Sequence, residues 1–292
     1  MNLSRFVERN LKWLFPLPAA LFILLMMIFP VVYTVFVSLT DWNMSSGGPI
    51  SFIGLNNYVS MLQDPRFYNA FLLTLYFTVL AVCFETVFGV IIALILNREF
   101  TGKNLAKFIL LLPMVATPVA IGLAWTLFYE PTIGLGNYAL KYLGLPASTW
   151  LASNLSVIPS LVLVDIWQWT PMISLIVLAG LAALPYDPYE AALVDGANPL
   201  QTILHITLPL ITPTILIAVV LRSIDALKTF DIIYVMTAGG PGFASETLNI
   251  YAYSLGFGYF RFGAASAALV ALFAVVLGFS VVVLKMRKSL EF

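Results

Sequence analysis

Ionisable side chains interrupt stretches of this chain that are otherwise apolar, and they carry its most evident chemistry. They are Glu85, Asp165, Arg222, Asp225, Lys228 and Asp231. A charge held at the centre of a bilayer is costly, so an ionisable group kept there marks a functional site by default. Carboxylates and guanidinium groups form paired hydrogen bonds with neighbouring hydroxyls. These side chains are therefore suited to hold a polar solute.

The 222–231 segment carries these groups in a regular pattern. Four residues fall at i, i+3, i+4 and i+7 and would share one face of a helix, namely Arg222, Asp225, Ala226 and Thr229. Lys228 and Asp231 form a second i, i+3 pair, rotated away from that face. Arg222 with Asp225, and Lys228 with Asp231, could simply neutralise each other and hold the helix against its neighbours. For Lys228 and Asp231 we prefer that interpretation. For the 222–229 face we predict a functional role. Glu85 has no evident partner in the sequence, and we interpret it as a hydrogen-bonding residue between helices.

The elements that carry these residues are predicted to be membrane spans. The 292 residues are 61% hydrophobic and only 10% charged, with a mean hydropathy of +0.98, whereas soluble domains are about 25% charged. A span needs about 20 mostly apolar residues. Such runs lie near 14–40, 71–96, 107–128, 157–184, 211–237 and 262–284. The sequence therefore predicts an all-α integral membrane protein, with six transmembrane helices in a single domain over 1–292.

The distribution of basic residues predicts the topology. Nine Lys and Arg residues lie at the termini and in the second loop: Arg5, Arg9, Lys12, Arg98, Lys103, Lys107, Lys285, Arg287 and Lys288. The opposite side has three, which are Arg66, Lys141 and Arg261. Because cytoplasmic segments are enriched in Lys and Arg, we expect both termini in the cytoplasm. The even number of spans then makes the 185–210 loop cytoplasmic as well.

The 185–210 loop has the residues of two short helices. Each start resembles a capping box, formed by Asp187, Pro188 and Glu190 in the first helix and by Asn198, Pro199 and Gln201 in the second. Gly196 permits the bend that ends the first helix. The small surface around Ala191 and Ala192 suits docking into a groove on another protein. A helix resting on lipid headgroups is the alternative, but it normally carries Lys or Arg, and this loop has neither.

Several motifs resemble one family of transport proteins. The spacing of Glu190-Ala191-Ala192, Gly196, Ile206 and Leu208-Pro209 resembles the EAA loop of binding-protein-dependent ABC importer permeases. Four further motifs resemble the carbohydrate-uptake branch, specifically its maltose-permease-like first subunit. They are "FIGLNNY" (52–58), "LLPMVATP" (111–118), "GLGN" (134–137) and "FDIIYVMTAGGPG" (230–242). The resemblance covers nearly the whole chain.

The resemblance implies a type I ABC importer permease fold and a set of partners. Its cytoplasmic coupling helix would seat on an ATPase through Glu190, Ala191, Ala192, Asp195 and Gly196. The partners would be a second, different permease subunit, two ATP-binding subunits and an extracytoplasmic solute-binding protein. ATP and Mg would be bound by the ATPase, with no cofactor in this chain. The location would be the bacterial inner membrane or the archaeal plasma membrane.

The resemblance also implies a substrate pocket between the fourth and fifth spans. The matching positions are Asp165, Trp169 and Met172 on one span, and Arg222, Asp225, Ala226 and Thr229 on the other. An indole ring can stack on a sugar, so an oligosaccharide, monosaccharide or sugar derivative would fit. Arg222 could instead receive an anionic group, which leaves a sugar acid or glycerol phosphate open.

Other classes of function have weaker support in the sequence. The chain has no H-E-x-x-H, G-x-S-x-G or G-x-x-x-x-G-K-[ST] motif, so we expect a transport subunit and not an enzyme. An ion-coupled secondary transporter is the main alternative, although such folds usually show internal repeats and more spans. A structural scaffold would not need a polar face on the fifth span.

Overall fold

The computed structural model describes residues 10–13 and 15–290; of the basic residues counted above, Arg5 and Arg9 lie outside this part. The described residues are mainly helical and contain no β-strand, only two isolated bridges. The helices are α1 (Leu17–Ser38), α2 (Asn56–Leu62), α3 (Pro65–Asn97), α4 (Lys103–Val115), α5 (Pro118–Phe128), α6 (Leu135–Tyr142), α7 (Val157–Ala182), α8 (Asp187–Val194), α9 (Pro199–Thr202), α10 (Leu208–Leu227), α11 (Asp231–Thr237), α12 (Leu248–Tyr253) and α13 (Phe262–Leu290).

Among the described residues, five helical segments are long and apolar enough to cross a membrane. They are Asn10–Ser38, Pro65–Asn97, Val157–Ala182, Pro199–Leu227 and Phe262–Val283. A sixth span is obtained when α4 and α5 are counted together, although they are bent by 96°. The prediction of one continuous helix over 107–128 is therefore wrong. The cause is Pro118, because a proline disfavours helical geometry in the residue before it, and Thr117 is extended with φ −67° and ψ 139°.

The fifth predicted span, 211–237, is also interrupted. Helix α10 ends at Leu227 and α11 begins at Asp231, with Phe230 at φ −130° and ψ −58° between them. The side chain of Asn249 donates a hydrogen bond of 2.8 Å to the carbonyl of Lys228, which the end of α10 leaves without a helical partner. Thr229 therefore lies beyond the helix, so it does not extend the face of Arg222 and Asp225 by a regular turn.

The 185–210 loop forms two helix starts, of which one matches its predicted capping. The second start is a complete capping box: Asn198 and Gln201 exchange side-chain to backbone bonds of 2.8 and 3.0 Å. The first is not, because Tyr186 is the N-cap and no side chain caps this end. Asp187 is instead the first helical residue. The second helix is also not a separate short one, since α9 continues through a π-turn into α10.

The described residues pack as two compact units. The first contains residues up to 64 together with 252–273. In it, the amide of Asn57, within "FIGLNNY", donates to the carbonyls of Ser38 and Thr40 at 2.8 and 2.7 Å. This motif therefore fixes the chain where α1 ends. Trp42 packs on Phe262 at a ring-centroid distance of 5.1 Å.

The second unit contains residues 65–251 and 274 onward, and α3, α7 and α10 form its centre. These helices approach closely at positions where one of them carries a glycine. A Cβ atom on Gly89 of α3 would lie 2.8 Å from the side chain of Ile173 on α7, too close for an ordinary contact. Ile173, Val177 and Ile211 are almost fully buried at this junction. The packing brings polar side chains from three distant parts of the sequence together.

Candidate functional site: a polar cavity in the second unit

A cavity of about 360 Å³ opens in the second unit where both interrupted spans meet α7. Its lining consists of Pro118, Asp165, Gln168, Trp169, Arg222, Asp225, Lys228, Thr229, Phe230, Asp231 and Ile232. Pro118 starts α5 after the first break, and residues 228–232 span the second break. Intramembrane cavities beside interrupted helices are common substrate sites in transporters.

A buried ion cluster forms the inner wall of this cavity. Arg222 on α10 donates from Nε and Nη2 to the two carboxylate oxygens of Glu85 on α3, at 2.7 and 3.1 Å. Nη2 also donates to Oδ2 of Asp165 on α7. The side chain of Arg222 is 1% exposed and both carboxylates are 0% exposed. The guanidinium therefore joins three spans, and Glu85, which had no evident partner in the sequence, is bonded to Arg222.

Two acceptor atoms beside the cluster have no hydrogen-bond partner among the residues that the structure describes. They are Oδ1 of Asp165 and Oε1 of Gln168, both fully buried. Buried polar atoms are normally paired, so unpaired oxygens on two residues of the cavity lining indicate a place where a small movement of side chains would admit the donors of a ligand or of water. The ring of Trp169 lies beside them, with the Arg222 guanidinium 5.3 Å from its centroid. The lining thus combines two residues that hold unpaired, buried acceptors with a half-buried indole.

The mouth of the cavity carries a second, more exposed set of charges. Nζ of Lys228 lies 3.4 Å from Oδ1 of Asp225, and their side chains are 51% and 49% exposed. The sequence-based preference for a Lys228–Asp231 pair was therefore wrong. The cause is the end of α10 at Leu227, which removes the helical register that the prediction assumed. Asp231 lines the cavity from the first turn of α11.

The structure brings five of the seven predicted pocket residues to this cavity: Asp165, Trp169, Arg222, Asp225 and Thr229. Met172 is half-buried and Ala226 is buried, and neither lines the cavity. Sequence reasoning missed Gln168, which lines the cavity from the same helix as Asp165. Its position three residues after Asp165 is the signal that could have identified it.

The coupling residues lie elsewhere in the second unit, on a largely exposed surface. In α8, Glu190 and Ala191 are exposed while Ala192 is buried. Leu193 and Val194 at the end of this helix are 77% and 88% exposed. Gly196 has φ +73°, the left-handed geometry that glycine adopts at helix ends. Asp195 is the C-cap residue of this helix.

The hydroxyl of Tyr189, on the inner side of α8, donates to Thr207 at 3.2 Å. Because Thr207 lies in the π-turn that leads into α10, this bond joins the exposed helix to the base of the fifth span.

The family assignment follows from the sequence as a whole. Residues 85–287 match the family model described as "Binding-protein-dependent transport system inner membrane component". This match covers more than half of the chain, which therefore belongs to that family.

Similar proteins agree with this assignment. The chain is 42% identical over 254 residues to a probable ABC transporter permease protein of Sinorhizobium fredii, with 87% of this chain and 82% of that protein covered. It is 37% identical over 288 residues to the trehalose/maltose transport system permease protein MalF of Thermococcus litoralis, with 97% and 96% covered.

A crystal structure of the bacterial alginate ABC transporter, in complex with alginate pentasaccharide-bound periplasmic protein, contains a chain of the same fold. Its TM-score is 0.85 at 24% identity, covering 99% of this chain and 98% of that one. This confirms the type I ABC importer permease fold expected from the sequence.

Proposed function

We propose that this chain is the membrane-spanning permease subunit of an ATP-driven, binding-protein-dependent importer for a sugar. The observation that carries the proposal is the cavity lining, in which Asp165 and Gln168, each with an unpaired buried oxygen, occur together with Trp169. Sugar hydroxyls supply the donors that these oxygens lack, and an indole stacks on a sugar ring. The similarity to a permease named for trehalose and maltose supports the same substrate class. Met172 and Ala226, which lie outside the cavity lining, would support the pocket from behind.

The chain would form half of a translocation pathway. The other half is a second, different permease subunit, and an extracytoplasmic solute-binding protein delivers the sugar. Two ATP-binding subunits hold ATP and Mg, so this chain itself needs no cofactor. The alignment with a transporter that is described together with its periplasmic protein supports such an assembly.

We infer that α8 couples this chain to the ATPase. Its end exposes two large apolar residues, Leu193 and Val194, beside the carboxylate of Glu190. An apolar surface with one acidic group suits a groove that carries a basic residue. Movement of the ATPase would reach α10 through the Tyr189–Thr207 bond. The cavity would then open alternately to the two sides of the membrane.

This assignment places the 185–210 loop and both termini in the cytoplasm. The excess of Lys and Arg at the termini and in the 97–106 loop supports that orientation. The membrane is the inner membrane of a bacterium or the plasma membrane of an archaeon. The earlier alternative, an ion-coupled secondary transporter, loses its support because the chain belongs to a binding-protein-dependent family.

Two tryptophans on α7 provide a matched test. Trp169 lines the cavity, whereas Trp167 is 47% exposed and packs against Trp125 at 5.7 Å. The complete importer, reconstituted in proteoliposomes, should take up a sugar only when ATP is present. Trp169→Ala should lower that uptake by roughly fivefold or more, since a stacking contact contributes about 1 kcal/mol. Trp167→Ala should have little effect. Sugar uptake without ATP, driven by an ion gradient, would refute the proposal.

A further inference from the structure

In the described part of the chain, Arg222 is the one cationic group of the inner wall that could attract an anion, and its charge is already neutralised. Its guanidinium makes two bonds to Glu85, at 2.7 and 3.1 Å, and a third to Asp165. Arginine stays protonated in proteins, and one carboxylate is enough to balance its charge. With two carboxylates against it, Arg222 has no uncompensated positive charge to offer a substrate.

The other described residues that line the cavity also carry no free positive charge. Its lining contains three carboxylates, from Asp165, Asp225 and Asp231, against the cations of Arg222 and Lys228. The ammonium of Lys228 lies beside Asp225 at 3.4 Å. A bound carboxylate or phosphate would therefore meet an excess of like charge.

The hydrogen-bonding capacity of the inner wall leads to the same result. The unpaired atoms, Oδ1 of Asp165 and Oε1 of Gln168, are both acceptors. They require donors, which hydroxyl groups supply. An ionised acid or phosphate group supplies only acceptors, so wherever that group, and not a hydroxyl, faces these oxygens, it leaves them unpaired at a further cost.

We propose that this cavity excludes anionic sugars and binds uncharged polyhydroxylated ones, and that Glu85 sets this selectivity. The proposal rests on the sugar-import function proposed above and names its substrate class. Glu85 does not line the cavity. It is a positioning residue, which acts by holding Arg222 from behind and by cancelling its charge.

A charge series separates this role from a purely structural one. Glu85→Gln keeps the shape of the side chain but removes one negative charge behind Arg222. Glu85→Gln with Arg222→Gln restores the charge balance and removes the cation. Glu85→Asp keeps the carboxylate and serves as the control.

The assay is ATP-dependent uptake by the complete importer in proteoliposomes. The probes are paired neutral and acidic sugars: glucose with glucuronate, galactose with galacturonate, and trehalose with trehalose 6-phosphate. The wild-type importer should take up at least one neutral sugar and reject its acidic counterpart. In Glu85→Gln the ratio of acidic to neutral uptake should rise by about tenfold, as expected when one nearby charge is removed at an effective dielectric of about 20. It should fall back in the double variant and stay unchanged in Glu85→Asp.

The outcomes distinguish this inference from the function on which it rests. A merely structural Glu85 would lower both uptakes by the same factor and leave their ratio unchanged, which would overturn its assignment as the residue that sets selectivity. Wild-type uptake of an acid in preference to its neutral counterpart would overturn the substrate class while leaving sugar import intact. Failure to move any sugar of the panel would count against both. If Glu85→Gln does not assemble, the wild-type ratio and the charge-balanced double variant still decide the question.

Discussion

Replacing Arg222 by Gln should destabilise the protein far more than an ordinary polar substitution. The change leaves the carboxylates of Glu85 and Asp165 buried together, each 0% exposed, without the cation that joins them. Removing one partner of a buried ion pair typically costs about 3–5 kcal/mol, because the remaining charge is uncompensated. We expect a loss of that size in the free energy of unfolding.

A compensating change should recover part of this loss. In the double variant Glu85→Gln with Arg222→Gln, two amides can hydrogen-bond to each other, and Asp165 is the one carboxylate of the cluster left without its cation. The loss should therefore be smaller than in Arg222→Gln alone by about 1–2 kcal/mol, the contribution of one hydrogen bond. The coupling energy between the two sites should therefore be at least about 1 kcal/mol.

The measurement is equilibrium unfolding of the purified importer in mild detergent, titrated with a denaturing detergent and followed by circular dichroism. The control is the same cycle with Asp225→Asn. Asp225 is 49% exposed and lies beside Lys228, so its coupling to Arg222 should stay below about 1 kcal/mol. Equal coupling to Asp225 and Glu85, or none to Glu85, would refute the assignment of the buried partner.

Two further predictions concern coupling and topology. Glu190→Lys should abolish ATPase activity stimulated by the loaded binding protein while the chain still reaches the membrane, because it reverses the charge on α8. Gly196→Val should have the same effect, because a β-branched residue is strained at φ +73° by about 1–2 kcal/mol. Normal ATPase stimulation in both variants would refute the assignment of α8 as the coupling helix. In a chain whose single native cysteine is replaced by serine, a cysteine at Tyr142 should react with an impermeant maleimide in intact cells, and one at Leu200 should not. Labelling at Leu200 from outside would contradict the proposed orientation.

The overall architecture was predictable because hydropathy depends on composition alone. The segments that cross a membrane follow from the length of each apolar run. The structure places span-length helices in five of the six predicted regions and a bent pair of shorter helices in the sixth, 107–128. The interruption between α10 and α11 was not predictable. No Gly or Pro marks residues 228–230, and the free carbonyl of Lys228 is bonded by Asn249, a residue 21 positions away. A local pattern contains no information about such a contact.

The buried cluster shows the same limit. The sequence identified Arg222 and Asp165 as unusual. However, Asp225 is the acidic residue nearest to Arg222 along the chain, and helical spacing therefore suggested Asp225 as the partner of Arg222. The actual bidentate partner, Glu85, is 137 positions away. Helical spacing ranks partners on one helix only, and it cannot rank partners on helices that pack side by side. A carboxylate without a neighbour in an apolar run does indicate that a cation lies on another helix.

The two interrupted spans account for where the cavity lies. An unbroken helix in a membrane pairs its own backbone groups and presents only side chains, whereas an interrupted helix also frees backbone groups and leaves space for a polar cavity. Here α4 and α5 separate at Thr117, and α10 and α11 separate after Leu227; both breaks contribute lining residues. The Lys228 carbonyl is bonded to Asn249, and Arg222 is held by Glu85. Neither group therefore depends on a substrate for its partner. Among the described residues that line the cavity, one oxygen each of Asp165 and Gln168 remains unpaired, and under the proposed function these oxygens would select a ligand by its hydroxyl groups.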